Sequence, residues 1–305
     1  MHWFEEFETR HFEVNGVSIY ARVSPGLQGE RPALLLLHGF PQTHAMWHRV
    51  AQQLHKDFYL VIPDLRGYGD SSKQPGLPDH STYSKRTMAQ DLVDVMDVLG
   101  IAQFGVCGHD RGGRVAHRMA LDHSTRVQRL CIIDIAPTLD MYAATNFEFA
   151  QAYYHWFHLT QPEPLPEIMI GATPASAVFY LHHKLGGWGT GGMQHIEAAA
   201  LAEYERCFVK PEAIHAMCED YRASASIDLE HDRTSRERGD KIACNTLVLW
   251  GDRGVVNRLF KPVPLWQAQC AAKVSGQVVV AGHFIPEELP TETARLLARF
   301  FAVTT

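Results

Sequence analysis

The residues most able to do chemistry lie in the pentapeptide Gly-His-Asp-Arg-Gly at positions 108–112. An apolar segment at 104–107 precedes it and a helical pattern follows it, which is the form of a nucleophile elbow. In such an elbow a sharp turn presents one nucleophilic side chain, and small flanking residues relieve crowding around the strained backbone. Asp110 takes the nucleophile's place, and no Gly-x-Ser-x-Gly motif supplies a serine instead. The alternative, in which Asp110 only caps the next helix, would leave the flanking glycines without a purpose.

An aspartate nucleophile restricts the reactions that are possible. A carboxylate that displaces a leaving group from sp³ carbon forms an alkyl ester, which water can cleave at the aspartyl carbonyl. A serine in the same reaction would leave a stable ether. Asp110 therefore predicts attack on an alkyl halide or an epoxide, followed by hydrolysis of the ester.

Hydrolysis of that ester requires a base and donors for the oxyanion. His283, in Ala-Gly-His-Phe after the last apolar segment, follows the nucleophile in chain order, as the base does in this architecture. A single histidine after a strand is more often structural, but this order favours a catalytic role. Gly39 and Phe40, in Leu-His-Gly-Phe-Pro, are expected to offer one backbone N–H, and Arg111 the second.

Two carboxylates compete for the role of orienting His283. The familiar place for this acid is the loop after the apolar segment that ends at Trp250, but Gly254 occupies the expected position there. Asp252 lies close by in the same loop. Asp134 ends the segment one strand earlier in the chain, and we favour it over Asp252.

The elements that must position these residues alternate along the chain. The strand-like segments are apolar throughout, as expected for strands covered on both faces, and lie at 33–37, 59–62, 104–107, 130–133, 246–250 and 277–280. Helical patterns separate them, such as the stripe of Met88, Leu92, Val95 and Leu99. Asn15-Gly16 predicts a hairpin at the start. The chain is therefore predicted to be an α/β protein with a mostly parallel sheet.

The alternation stops after Asp134 and resumes near Lys241. The intervening sequence has helical patterns rich in aromatic and histidine residues, broken by prolines 162, 164 and 166 and by a glycine cluster at 186–192. We expect an inserted helical lid at 137–240, between two parts of the core at 1–136 and 241–305.

Composition excludes several classes of protein. The chain has 305 residues, of which 46% are hydrophobic and 20% charged, enough for a sizeable core. Its net charge of −6 comes without a basic stripe, which argues against nucleic acid as a partner. No apolar run is long enough for a membrane span and the start is acidic, so a cytoplasmic location is expected. Six scattered cysteines predict reduced thiols, and no pattern predicts a metal or cofactor.

Several motifs together resemble the fluoroacetate (haloacetate) dehalogenases over nearly the whole chain. They are His-Gly-Phe-Pro at 38–41, Pro-Asp-Leu-Arg-Gly-Tyr-Gly-Asp-Ser at 63–71, Gly-His-Asp-Arg-Gly-Gly-Arg at 108–114, Asp134, His155-Trp156 and Gly-His-Phe at 282–284. The first two motifs are shared with epoxide hydrolases and haloalkane dehalogenases. The resemblance implies the α/β-hydrolase fold, with a mostly parallel eight-stranded sheet flanked by helices and an inserted helical lid. It also implies a homodimer.

The resemblance assigns roles to residues beyond the nucleophile, acid and base. Arg111 and Arg114 lie three apart on one helix, so both can bind the carboxylate of a haloacid and offset its repulsion by Asp110. His155, Trp156 and Tyr221 match the family's halide pocket, where N–H and O–H donors stabilise the departing halide. Trp188 is expected to line the site. The implied substrate is a small haloacid such as fluoroacetate or chloroacetate, and the implied product is glycolate.

Two other functions remain open from the sequence. A soluble epoxide hydrolase would share the aspartate nucleophile and use lid tyrosines as proton donors. The tyrosines available for this role are Tyr153, Tyr154, Tyr180, Tyr204 and Tyr221. A receptor that keeps the hydrolase shell without turnover is the other alternative, although the set of Asp110, Asp134 and His283 is intact.

Overall fold

The computed structural model describes residues 3–26 and 29–302, and its centre is one mixed sheet of eight strands. The strands are β1 (Glu8–Val14), β2 (Val17–Val23), β3 (Ala33–Leu37), β4 (Tyr59–Pro63), β5 (Phe104–His109), β6 (Val127–Ile133), β7 (Asn245–Gly251) and β8 (Val274–Val279). Their order in the sheet is β1-β2-β4-β3-β5-β6-β7-β8. β2 is antiparallel to β1 and β4, and the other neighbours are parallel. The predicted fold class is confirmed.

The hairpin predicted from Asn15-Gly16 is also confirmed. Val14 pairs with Val17, so Asn15 and Gly16 form a two-residue connection between β1 and β2. Their φ angles are 49° and 72°, as this tight turn between right-twisted strands requires.

Fifteen α-helices surround the sheet in the described residues. They are α1 (His48–Leu54), α2 (Lys85–Val98), α3 (Arg111–Asp122), α4 (Thr138–Ala143), α5 (Phe147–Ala152), α6 (Tyr154–His158), α7 (Leu165–Gly171), α8 (Pro174–Trp188), α9 (Ala198–Phe208), α10 (Pro211–Ala225), α11 (Ile227–Arg238), α12 (Val255–Leu259), α13 (Pro262–Gln267), α14 (Ile285–Glu288) and α15 (Pro290–Phe301). Two short 3₁₀ helices lie at His44–Trp47 and Ser81–Tyr83. Each helix among residues 3–26 and 29–302 is too short or too polar to cross a membrane.

The eight helices α4 to α11 follow one another between β6 and β7. We refer to them as the helical segment. Buried ion pairs join it to the rest of the protein: Arg111 of α3 contacts Asp220 of α10, and Arg118 of α3 contacts Asp232 of α11. The helical segment is therefore tied to the helix that follows the elbow. The predicted domain boundaries at 136/137 and 240/241 stay a prediction.

Two sequence predictions need correction. The last strand spans Val274–Val279 rather than 277–280. It lies at the edge of the sheet, and its four middle residues are exposed, so it is not covered on both faces. Val278 in this strand and Val280 just after it are 46% and 67% exposed. The glycine cluster does not break the helix at residue 186, because α8 continues through Gly186 and Gly187 to Trp188.

Candidate active site

The predicted chemical residues meet at the carboxyl ends of the parallel strands. Asp110 follows β5, Phe40 lies beyond β3, Asp134 follows β6 and His283 lies beyond β8. In a parallel sheet these ends share one edge, where ligands of α/β proteins bind. The sheet thus gathers residues that are far apart in the sequence.

Asp110 lies at a strained turn between β5 and α3. Its φ and ψ angles are 46° and −114°, a conformation that a residue with a Cβ rarely adopts. The flanking glycines are required by packing, since a Cβ on Gly108 would collide with the main-chain oxygen of Gly112. A Cβ on Gly112 would likewise collide with the main-chain oxygen of His38. The Asp110 side chain is 7% exposed, so the turn presents a nearly buried carboxylate.

One oxygen of this carboxylate already has a backbone donor. Phe40 N donates to Asp110 Oδ2 at 3.0 Å. Arg111 is the first residue of α3, where the helix leaves its amide N–H without an intrahelical acceptor. Asp110 Oδ2 therefore lies where backbone N–H groups can stabilise negative charge.

His283 is oriented by Asp134 in this structure. Its Nδ1 lies 2.6 Å from Asp134 Oδ2, and Gly251 N donates to Asp134 Oδ1 at 3.0 Å. Asp252 instead accepts a hydrogen bond from Ala281 N and is 40% exposed. Position 254, the usual place for this acid, is next to Asp134: a Cβ on Gly254 would lie 3.3 Å from Asp134 Oδ1. An acid at either position, 134 or 254, would therefore reach the same point in space. The geometry favours Asp134 over Asp252.

The charges of these groups act on one another. Burial raises the pKa of Asp110, but the charges of His283, Arg114 and Arg111 outweigh it and hold the pKa below its usual range. Burial lowers the pKa of His283, yet the hydrogen bond and charge of Asp134 and the charge of Asp110 raise it above its usual value. Asp110 is therefore an ionised carboxylate at neutral pH, and its negative charge favours the protonated imidazole.

This coupling predicts a lower His283 pKa in an Asp110→Asn variant than in the wild-type protein, because one stabilising anion is removed. The pKa can be measured by NMR titration of the imidazole, with a His283→Gln spectrum to identify its resonance. An Asp252→Asn control should leave the value unchanged. An unchanged or higher His283 pKa in Asp110→Asn would show that the two groups are not coupled.

Arg111 and Arg114 are both buried, not exposed on the helix surface. Arg111 donates from Nε and Nη2 to Asp220, and its Nη1 is buried with no hydrogen-bond partner in the described part of the chain. Arg114 donates from Nη1 to Thr138 Oγ1 at 2.8 Å, while its Nε has no partner among these residues. Each guanidinium thus keeps a buried donor that a ligand could use.

Aromatic residues of the helical segment lie around these arginines. The Tyr221 ring is 4.2 Å from Arg111 Cζ, and the Trp156 ring is 4.7 Å from Arg114 Cζ. His155 stacks on Phe40 with ring centroids 5.8 Å apart and lies 5.4 Å from the Tyr221 ring. The three residues predicted for the halide pocket are therefore brought together beside Phe40 and the arginines.

Two of these residues have polar atoms that make no hydrogen bond to the described residues. Tyr221 Oη and His155 Nδ1 are buried and without hydrogen-bond partners within residues 3–26 and 29–302. Burial raises the pKa of Tyr221 and lowers that of His155, so both rings are neutral at neutral pH. A neutral phenol and a neutral imidazole can each donate one hydrogen bond to a ligand.

A cavity of about 560 Å³ leads to His283 from between the helical segment and the core. Trp188 lines it, its main-chain oxygen accepts from His283 N at 2.9 Å, and its ring centroid lies 5.6 Å from that of His283. Tyr153 and Lys184 line the same cavity. Trp188 thus lies against His283, and its predicted place in the wall of the site stays a prediction.

Two residues of the site were missed by sequence reasoning. His109 Nε2 lies 2.8 Å from the main-chain oxygen of His283, so it links the turn at Asp110 to the loop that contains His283. Asp220 binds Arg111 across the boundary between the core and the helical segment. Asp220 directly precedes Tyr221, but nothing in the sequence alone connects it with Arg111.

The chain belongs to the α/β-hydrolase fold family, whose sequence pattern matches residues 32–289. It is 44% identical to a fluoroacetate dehalogenase from a Burkholderia species over 299 residues, which cover 98% of this chain and 95% of that protein. A soluble epoxide hydrolase from Corynebacterium sp. (strain C12) is 31% identical over 273 residues, 88% of this chain and 90% of the relative. A solved structure from Nostoc sp PCC 7120, described as an α/β hydrolase, has a TM-score of 0.93 at 49% identity and covers 99% of this chain and 100% of its own.

Proposed function

We propose that this hydrolase cleaves the carbon–halogen bond of small 2-haloacids, such as fluoroacetate or chloroacetate, to give glycolate and halide. The observation that carries the proposal is a buried aspartate with two buried arginines beside it, each with a nitrogen that has no hydrogen-bond partner among the described residues. A substrate with a carboxylate would use both nitrogens. The 44% identity with a fluoroacetate dehalogenase supports the same substrate class.

In the first step Asp110 Oδ1 attacks the α-carbon and the halide leaves with the bonding electrons. Oδ1 is the attacking oxygen because Oδ2 is held by Phe40 N. The substrate carboxylate lies against Arg111 and Arg114, which neutralise its charge and fix the carbon for in-line attack. His155, Trp156 and Tyr221 donate to the departing halide. The product of this step is an ester on Asp110.

In the second step His283 takes a proton from water, and the water oxygen attacks Cγ of Asp110. Negative charge develops on Oδ2, where Phe40 N–H stabilises it. The bond between Cγ and Oδ1 then breaks, Oδ1 leaves with glycolate, and His283 returns the proton to it. Esterification has removed the charge of Asp110, so the pKa of His283 falls when the base is needed.

Halide release decides between this proposal and its rivals. A halide-selective electrode with fluoroacetate and chloroacetate, beside a panel of epoxides, measures both activities on one preparation. Tyr153 and Tyr221 could protonate an epoxide oxygen, but a plain epoxide has no use for Arg111 and Arg114. Epoxide turnover without halide release from any haloacid would reject the proposal, and the ratio of fluoride to chloride release would rank the substrates. A receptor would give neither product.

Asp134→Asn is expected to lower kcat by about 10²- to 10⁴-fold, because His283 would lose the anion that orients it and stabilises its protonated form. Asp252→Asn is the matched control from the neighbouring loop and should retain kcat within about threefold. Steady-state halide release with chloroacetate measures both variants. The opposite ranking of the two variants would assign the role to Asp252.

A further inference from the structure

Arg111 is held by a buried acid on the helical segment. Its Nε donates to Asp220 Oδ2 at 2.9 Å, and its Nη2 lies 2.8 Å from both Asp220 Oδ1 and the Asp220 main-chain oxygen. Ser224 Oγ accepts from the same Nη2 at 2.6 Å. Arg111, Asp220 and Ser224 are all fully buried. The Nε–H and the two N–H groups of Nη2 are therefore engaged by protein.

The remaining nitrogen of Arg111 is Nη1, which has no partner in the part of the chain that the structure describes. The Tyr221 ring covers one face of the guanidinium, with its centroid 4.2 Å from Cζ. Because Asp220 occupies one edge and Tyr221 one face, Nη1 is the part of Arg111 left for a ligand.

Asp220 is also the centre of a charged network. Tyr68 Oη donates to Asp220 Oδ2 at 2.7 Å, and Lys85 Nζ contacts Asp220 Oδ1 and lies 3.4 Å from Asp228 Oδ2. Two cations and two carboxylates thus balance one another in the interior. The charges of Arg111 and Lys85 keep the pKa of buried Asp220 far below its usual range, so it stays ionised.

This arrangement explains why Arg111 does not form an ion pair with Asp110. Arg111 follows Asp110 in the chain, and a free guanidinium beside a buried carboxylate would normally pair with it. Instead, no arginine or lysine within residues 3–26 and 29–302 forms an ion pair with Asp110. Asp220 supplies the competing anion, which leaves Asp110 Oδ1 free for attack.

We infer that Asp220, with Ser224, is a positioning and specificity-determining residue that fixes Arg111 so that Nη1 binds a substrate carboxylate. The inference rests on the proposed function for the identity of the substrate. It concerns the site's selection of acids, and the protein should bind a carboxylate in the same way whether or not carbon–halogen cleavage follows.

The protein contains a matched control for this arrangement. On the same helix, Arg118 Nη2 lies 3.1 Å from Asp232 Oδ1 of α11, and Arg118 Nη1 donates to Ser235 Oγ at 3.0 Å. This is a second buried contact of an α3 arginine with an acid and a serine of the helical segment. Asp232→Asn and Ser235→Ala should therefore cost stability as Asp220→Asn and Ser224→Ala do, without acting on Arg111.

The test measures glycolate binding by the wild-type protein, these four variants and Asp220→Glu, with tryptophan fluorescence or titration calorimetry as the readout. We expect about tenfold weaker binding in Asp220→Asn, a smaller weakening in Ser224→Ala, and partial rescue in Asp220→Glu, which restores the charge. Asp232→Asn and Ser235→Ala should match the wild-type affinity. If Asp220→Asn does not fold, the comparison of Ser224→Ala with Ser235→Ala decides.

Three outcomes would overturn the inference: no glycolate binding by the wild-type protein, unchanged affinity in Asp220→Asn and Ser224→Ala, or equal weakening in the control variants. Halide release by the wild-type protein is scored separately. Halide release with unchanged glycolate affinity in Asp220→Asn rejects the inference about Asp220 and keeps the proposed function. Weaker glycolate binding in Asp220→Asn without halide release from any haloacid keeps the inference about Asp220 and rejects the proposed function.

Discussion

Replacing Asp110 with asparagine is expected to reduce halide release from chloroacetate by on the order of 10⁴-fold or more, because no other group can form the ester. Asparagine keeps the shape of the side chain and an oxygen that can accept from Phe40 N–H. The elbow should therefore fold as in the wild-type protein, which circular dichroism can check. Ion chromatography of released chloride measures the loss.

The control for Asp110→Asn must separate loss of a nucleophile from loss of a charge. Asp252→Asn removes one carboxylate from a nearby loop and should keep turnover within about threefold. The mass of the peptide that contains residue 110 verifies that the asparagine has not deamidated to aspartate. Wild-type halide release by an intact Asp110→Asn protein would remove the basis of the proposed chemistry.

The fold was largely predictable because its signals are local. Each buried strand is a short apolar run, and the turn at Asn15-Gly16 requires positive φ angles that these two residues adopt readily. The edge strand β8 departed from the prediction since periodicity does not reveal whether a strand has a neighbour on both sides. Its exposed residue Val278 is as apolar as a buried one, and only the order of strands places it at the edge.

In the candidate site, too, residues in local motifs could be predicted, whereas contacts that depend on the three-dimensional fold could not. Asp110, Phe40 and His283 belong to motifs with fixed places in the architecture, so the sequence predicted that they would meet. Asp134 and Asp252 could not be separated with certainty, because the choice depends on which loop faces the imidazole. That is a matter of three-dimensional geometry, and the 2.6 Å contact of Asp134 with His283 favours Asp134.

The partners of buried charges are the least predictable part of the site. Arg111 and Asp220 are 109 positions apart, and their contact exists only because the fold brings Asp220 of α10 to the start of α3. The two predicted carboxylate-binding arginines also differ in surroundings, since Arg114 contacts neutral groups and Arg111 an ionised acid. The identity of an arginine can be read from a sequence, but the number of its free N–H groups cannot.

Replacing His283 with alanine should separate the two halves of the reaction. The first half needs the Asp110 carboxylate and does not need His283, whereas the second half needs a base to activate water. We expect about one equivalent of halide per active site in a burst, then steady-state release slower by on the order of 10³-fold or more. Intact-protein mass spectrometry after incubation with chloroacetate should show a gain equal to one carboxymethyl group, and peptide mapping should place it on Asp110.

The double variant Asp110→Asn/His283→Ala provides the control for that experiment, because it keeps every other nucleophile in the protein. It should gain no mass, which excludes alkylation of the cysteines, all six of which are free thiols. A mass gain of the same size in the double variant would place the adduct elsewhere. Continued turnover by His283→Ala would mean that another base activates water. An absence of both burst and adduct would mean that no ester forms, and displacement by Asp110 would then be excluded.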